Sequence, residues 1–180
     1  ASEIFYAENY QIREVPQFYV DQYDIEIPYM ALGYVSGDVQ DGMPQGGGNL
    51  RIFDYNKDGS LKRTIKLIGE FENGVLVGPG QMFINYEVKP AEPQVAEIMG
   101  DFYYGLLHGK STVIMRGFNS ESNQRLITVY EGTYEFGDKE GQFTERTTID
   151  DQSTTMTGVF ENDVKVGEWT PVGENASASN

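Results

Sequence analysis

The chain has no cysteine among its 180 residues and a single histidine, His108. These two absences exclude disulfides, thiolate catalysis, Cys-type zinc sites and any two-histidine metal site built within one chain. Basic residues are scarce: 13 Lys and Arg stand against 28 Asp and Glu, for a net charge of −15. Nucleic acid is thereby excluded as a partner and an anionic membrane is disfavoured, because both attract clustered Lys and Arg. No run approaches the roughly 18 apolar residues of a membrane-spanning helix, and no signal-peptide core is present. A sustained 3.6-residue apolar pattern is also missing, so little helix is expected. The start Ala1-Ser2-Glu3 fits a mature form after signal cleavage as well as a trimmed cytoplasmic start. Together with the missing cysteines it tilts the expectation toward an extracytoplasmic place, secreted, periplasmic or surface, with the cytoplasm as the alternative.

Glycine, by contrast, is abundant, with 21 residues against 7 prolines, and its placement is periodic. The frame is G-x-Φ-x-x-G-x-x-x-G-x-G, with Φ apolar or aromatic, and it recurs five times. Its copies are Gly37/Gly42/Gly46/Gly48, Gly69/Gly74/Gly78/Gly80, Gly100/Gly105/Gly109/Ser111, Gly132/Gly137/Gly141/Phe143 and Gly158/Asp163/Gly167/Trp169. Two residues before each leading glycine stand Val35, Leu67, Ile98, Tyr130 and Met156. Two residues after it stand Val39, Phe71, Phe102, Tyr134 and Phe160. Period-2 spacing puts both sets on one face of a strand that passes through the glycine. Each unit reads as strand, glycine-rich turn, strand, and a loop of turn-forming composition such as Asn56-Lys57-Asp58-Gly59. The fourth unit carries Glu145 and Thr147 where the others are apolar, so its second strand is expected to be more exposed.

These units resemble MORN repeats. The resemblance rests on the G-x-[FY]-x-x-G-x-x-x-G-x-G core at 69–80, 100–111 and 132–143, with divergent copies at 37–48 and 158–169. The hairpin Phe53 to Lys62 leading into Gly69-Glu70-Phe71-Glu72-Asn73-Gly74 is similar to the bacterial variant of the family. The resemblance implies an elongated, single-layer antiparallel β-meander used for protein contacts or self-assembly, with no catalytic residues to carry over. The expected organisation is an aromatic-rich N-terminal cap at 1–36, a repeat sheet at 37–171 and a disordered tail at 172–180. The cap holds Phe5, Tyr6, Tyr10, Phe18, Tyr19, Tyr23, Tyr29 and Tyr34.

The expected contact surface is the aromatic row Phe71, Phe102, Tyr134 and Phe160, extended by Tyr19 and Tyr23, since one face of a single-layer sheet is left for a partner. The partner is then another protein or a second copy of the chain. The alternative is a secreted glycan-binding or glycan-active β protein with an acidic and aromatic groove. No cofactor is expected. Calcium is the alternative there, because Asp54-x-Asn56-x-Asp58-Gly59 matches the opening of a calcium loop, although Ile65 stands where its bidentate glutamate belongs. The same residues also make a hairpin turn. His108, beside Gly109, is read as a turn or packing residue, since no nucleophile elbow accompanies it. Arg51, Lys57, Lys62, Arg63 and Lys66 form the one basic hairpin, read as a solvated edge or a docking patch.

Overall fold

A computed structural model describes residues 3–87, 94–119 and 121–173. The tail expected at 172–180 lies, from residue 174 on, outside the described residues. Among the described residues the elements run β1 (Phe5–Ile12), α1 (Gln17–Gln22), β2 (Leu32–Gln40), β3 (Met43–Tyr55), β4 (Leu61–Glu72), β5 (Val75–Tyr86), β6 (Val95–Tyr103), β7 (Leu106–Leu107), β8 (Gly109–Asn119), β9 (Gln124–Glu135), β10 (Asp138–Ile149), β11 (Gln152–Glu161) and β12 (Val164–Pro171). All strands belong to one open antiparallel sheet in which chain neighbours are sheet neighbours, from β1 at one edge to β12 at the other. The two-residue β7 pairs with β6 next to the turn of their hairpin. The chain belongs to this sheet from Phe5 on, since β1 pairs with β2 from Phe5↔Val39 to Ile12↔Gly33. At the far end Val172 still donates its N–H to the Thr155 carbonyl, at 3.0 Å.

The five frames set the five turns and the kinks beside them. Each second frame position ends a two-residue loop: Asp41-Gly42, Asn73-Gly74, Tyr104-Gly105, Phe136-Gly137 and Asn162-Asp163. All ten of these residues have positive φ, from 43° to 90°. Two positive φ values in a two-residue loop are the requirement of a type I′ turn, whose twist matches that of the strands it joins. The third frame glycine follows as a bulge with positive φ, as at Gly141, where the β9–β10 register slips between Glu140 and Phe143.

The leading and final frame positions face each other and run as one row across the sheet. Gly37, Gly48, Gly69, Gly80 and Gly100 are paired in succession from β2 to β6. The row continues as Ser111, Gly132, Phe143 and Gly158. The two aromatic departures from the frame have a packing reason. A Cβ on Gly132 would stand 2.5 Å from the Phe143 ring, and one on Gly158 would stand 2.4 Å from the Trp169 indole. Each ring thus lies flat over the bare backbone of a neighbouring glycine, which a side chain there would forbid.

The inner face is covered by two different devices. Over β2 to β5 the segment between β1 and β2 folds back, and its Val15, Tyr19, Val20 and Ile25 pack with Val35, Val39, Leu50, Ile52, Ile65, Leu67 and Leu76, most of which have no exposed surface. Burying an aliphatic side chain of this size contributes about 1.5–3 kcal/mol relative to leaving it exposed. Over β9 to β12 the sheet covers itself with an edge-to-face chain of rings. Tyr134–Phe143 centroids are 5.4 Å apart, and Phe143–Phe160 and Phe160–Trp169 are each 5.1 Å apart. The fourth unit keeps full pairing through β10, with Glu145 half-buried between the Tyr130 hydroxyl at 3.4 Å and the Lys165 ammonium.

Candidate interaction surface

The aromatic row expected to meet a partner lies inside the chain. Phe71, Phe102, Tyr134 and Phe160 are between 2% and 4% exposed. They share one face, as their period-2 spacing predicts, but that face is the covered one, so they are core and not contact surface. Tyr19 is fully buried and stacks on the half-buried Tyr23, with centroids 6.0 Å apart and planes 1° apart. The Tyr19 hydroxyl accepts the Leu76 N–H at 3.0 Å, and burial raises its pKa far above that of a free phenol. Burial raises Tyr23 likewise, with the Tyr19 phenol adding to the shift and the Arg63 guanidinium opposing it.

The calcium-like residues are divided between different tasks. Asp54 points inward, 1% exposed, and accepts a hydrogen bond from Arg63 Nε at 2.9 Å. The same guanidinium donates to the Tyr23 carbonyl, which ties the covering segment to β4. Asp58 instead accepts the Ser60 hydroxyl and N–H, which hold its carboxyl below the usual range, and Asn56 donates to the Ser60 hydroxyl at 3.1 Å. The three side chains therefore do not converge on one point: the loop closes as a turn, with Asn56 N–H on the Ser60 carbonyl at 2.8 Å. Arg63 is also lost from the basic hairpin as a docking residue, and Arg51 donates to Asn9 at 3.0 Å.

Successive turns dock on one another by a repeated backbone bond. Gly74, Gly105, Gly137 and Asp163 donate their N–H to the carbonyls of Pro44, Leu76, Leu107 and Lys139, at 2.8–3.0 Å. The residue just after each of these acceptors often adds a side-chain acceptor. Gln45 Oε1 takes the Asn73 N–H at 2.7 Å, His108 Nδ1 takes the Phe136 N–H at 3.2 Å, and Glu140 Oε1 takes the Asn162 N–H at 2.6 Å. His108 is thus the turn clamp of its unit, with its Nδ1 an acceptor.

This docking gathers a cluster that the sequence reading missed. Tyr103 and Tyr104 are each 52% exposed and Phe136 58% exposed. Tyr103 lies 4.9 Å from Tyr104 and 5.7 Å from Phe136, both edge-to-face, and His108 lies 4.5 Å from Phe136. Tyr104 and Phe136 hold the first turn position at φ 43° and 46°, where three sister turns place Asp41, Asn73 and Asn162. Asn and Asp tolerate left-handed backbone, whereas a bulky ring there is strained. No protein-family model and no curated protein sequence matches this chain. The cluster therefore rests on its geometry alone. Its signal was present in the sequence, in the residue before the second frame glycine, where two rings replace the Asn or Asp that the turn prefers.

Proposed function

We infer that this chain is a non-catalytic, MORN-type protein-contact module that meets its partner through Tyr103, Tyr104 and Phe136. The observation that carries the reading is the placement of two exposed rings in left-handed turn backbone. Strain retained where no interior packing demands it marks a site under functional demand. Three neighbouring rings also supply the large, rigid, amphipathic area typical of contact surfaces. The repeated glycine and aromatic frame, folded as consecutive hairpins of one sheet, supports the MORN resemblance.

The charge and the chain's own chemistry favour a partner with cationic side chains. The net charge is −15, and the chain seats its own ammonium groups on aromatic faces, Lys139 at 4.6 Å from the Tyr130 centroid and Lys165 at 4.6 Å from Trp169. A second copy presenting Lys57, Lys62 and Lys66 is the simplest such partner.

The double variant Tyr104→Asn/Phe136→Asn keeps the turn chemistry and removes the rings. Light scattering over a concentration series reads self-association, and capture from one lysate with each form reads another protein. The expected result is an assembly, or a captured protein, that is lost in the variant while its melting temperature is unchanged or raised. A monomer at every concentration whose captured proteins are the same for both forms overturns the reading.

A further inference from the structure

Three side chains clamp the first N–H of the turn that follows them, and one of the three is an imidazole. Gln45 Oε1 accepts from Asn73, Glu140 Oε1 from Asn162, and His108 Nδ1 from Phe136 at 3.2 Å. Histidine is the side-chain type that, without special perturbation, changes its charge between about pH 5 and 8. The chain has a single histidine, and it stands at the clamp beside the exposed rings. Its imidazole lies 4.5 Å from the Phe136 ring and 5.8 Å from that of Tyr103, so it is a wall of that cluster as well as a clamp.

The bond exists in one protonation state only. A neutral imidazole accepts at the nitrogen that carries no proton, whereas an imidazolium donates from both. A protonated Nδ1 would meet the Phe136 N–H donor to donor, and the bond would be lost. The turn would then be held to the preceding unit by the Gly137 N–H on the Leu107 carbonyl, at 2.8 Å. Phe136 sits at φ 46°, a backbone state that a bulky residue keeps only while its surroundings hold it there. Around the imidazole, Asp101 and Tyr103 belong to β6, Tyr104 to the turn after it, Lys110 to β8, and Glu135 and Asp138 to β9 and β10 on either side of the Phe136 turn. The Asp101 carboxylate lies 3.9 Å from the place a Gly109 Cβ would take. With these three carboxylates against one ammonium, an imidazolium has counter-charge to turn toward as it leaves Phe136.

We propose that His108 is a proton-operated clamp on the ring cluster, an inference that rests on the reading of Tyr103, Tyr104 and Phe136 as the contact surface. With Nδ1 unprotonated it holds the Phe136 turn against the preceding unit. As an imidazolium it releases that turn, and Phe136 parts from Tyr103 and Tyr104, so the contact surface is assembled at neutral pH and withdrawn in mild acid.

His108→Gln is the control, because Gln45 makes the same bond in the first unit and glutamine does not titrate. Amide signals of the wild-type chain and the variant are followed by NMR from pH 8 to pH 5. In the wild-type chain the Phe136 amide proton is expected to move upfield in step with the His108 ring protons. Its protection from hydrogen exchange, corrected for intrinsic pH dependence, is expected to fall about five-fold. In His108→Gln the Phe136 amide should move no more than that of Asn73, whose clamp is Gln45. A Phe136 amide that stays in place while the His108 ring titrates, or that titrates equally in the variant, would overturn the proposal. These signals need no partner, so light scattering at pH 8 and pH 5 tests the contact reading separately. Self-association is expected to weaken about five-fold in acid for the wild-type chain and not for His108→Gln. No association at either pH, with Phe136 still following His108, refutes self-contact and supports the clamp.

Discussion

The bond between Tyr19 and Leu76 offers the most direct test of how the sheet is covered. Val75 lies next to the Asn73-Gly74 turn and pairs with Glu72, so in the antiparallel alternation Leu76 pairs with Phe71 without exchanging ladder hydrogen bonds. Its two backbone groups face the other way. The carbonyl accepts the Gly105 N–H at 2.8 Å, and the N–H donates to the Tyr19 hydroxyl at 3.0 Å. Both residues are fully buried. Tyr19→Phe keeps the ring and leaves that N–H without an acceptor, and a void of one oxygen is too small to admit a water. The cost of a buried unsatisfied donor is about 1–3 kcal/mol. Tyr23→Phe is the matched control, since its hydroxyl donates only to the Met82 sulfur, a weak acceptor that loses little when unpaired. That control is expected to cost less than about 0.5 kcal/mol. Urea unfolding at constant m-value measures both, and the Tyr19 variant should melt lower by about 2–4 °C per kcal/mol. Equal stability of the two variants would refute the reasoning, because the covering segment would then not supply an acceptor to the sheet.

Other perturbations probe the remaining supports. Gly158→Ala places a methyl group 2.4 Å from the Trp169 indole, so the ring must leave its seat; a loss of about 1–3 kcal/mol and a shifted tryptophan emission spectrum are expected, and a neutral variant would contradict the ring-on-glycine packing. Asp54→Ala leaves the Arg63 guanidinium buried without its carboxylate and is expected to cost about 3–5 kcal/mol in chemical unfolding. Wild-type stability is expected to be indifferent to millimolar calcium, whereas a calcium-dependent melting rise abolished by Asp54→Ala would restore the calcium reading. Asp58 has its folded pKa below the unfolded value through Ser60, so its contribution is complete above the unfolded carboxylate pKa and is lost as pH falls through the folded one. Ser60→Ala is expected to return the Asp58 titration, followed by NMR, toward the unfolded-chain value.

The glycine frame was legible because each of its positions answers a local backbone demand. Gly42, Gly74, Gly105 and Gly137 supply positive φ to type I′ turns, and Gly46, Gly78, Gly109, Gly141 and Gly167 supply it to the bulges that follow. Phe143 and Trp169 looked like defects of the frame and are its complement, since a ring laid over a neighbour's glycine fills the space that glycine leaves. The candidate site was less legible. The row of Phe71, Phe102, Tyr134 and Phe160 was correctly assigned to one face, yet alternation within a strand says nothing about what lies above that face. Tyr103, Tyr104 and Phe136 were not legible as a site, because the repeat frame is defined by the glycine of each turn and not by the residue before it.

By itself the sequence determined the all-β class, the order of the hairpins, the turns and the side of each strand on which a residue falls. These depend on interactions between chain neighbours, in backbone dihedrals, side-chain alternation and turn residues, which short motifs encode. Only the tertiary structure decided which face is inside. That choice is made by residues 13–31 folding back, with Tyr19 capping Leu76 and Arg63 holding the Tyr23 carbonyl across contacts of 57 and 40 residues. It also decided that Tyr104 and Phe136, in different repeats, share one surface, because turns stack only after the strands between them have paired. Long-range packing, which no local motif records, thus moved the predicted contact residues into the core and brought an unpredicted set together outside it.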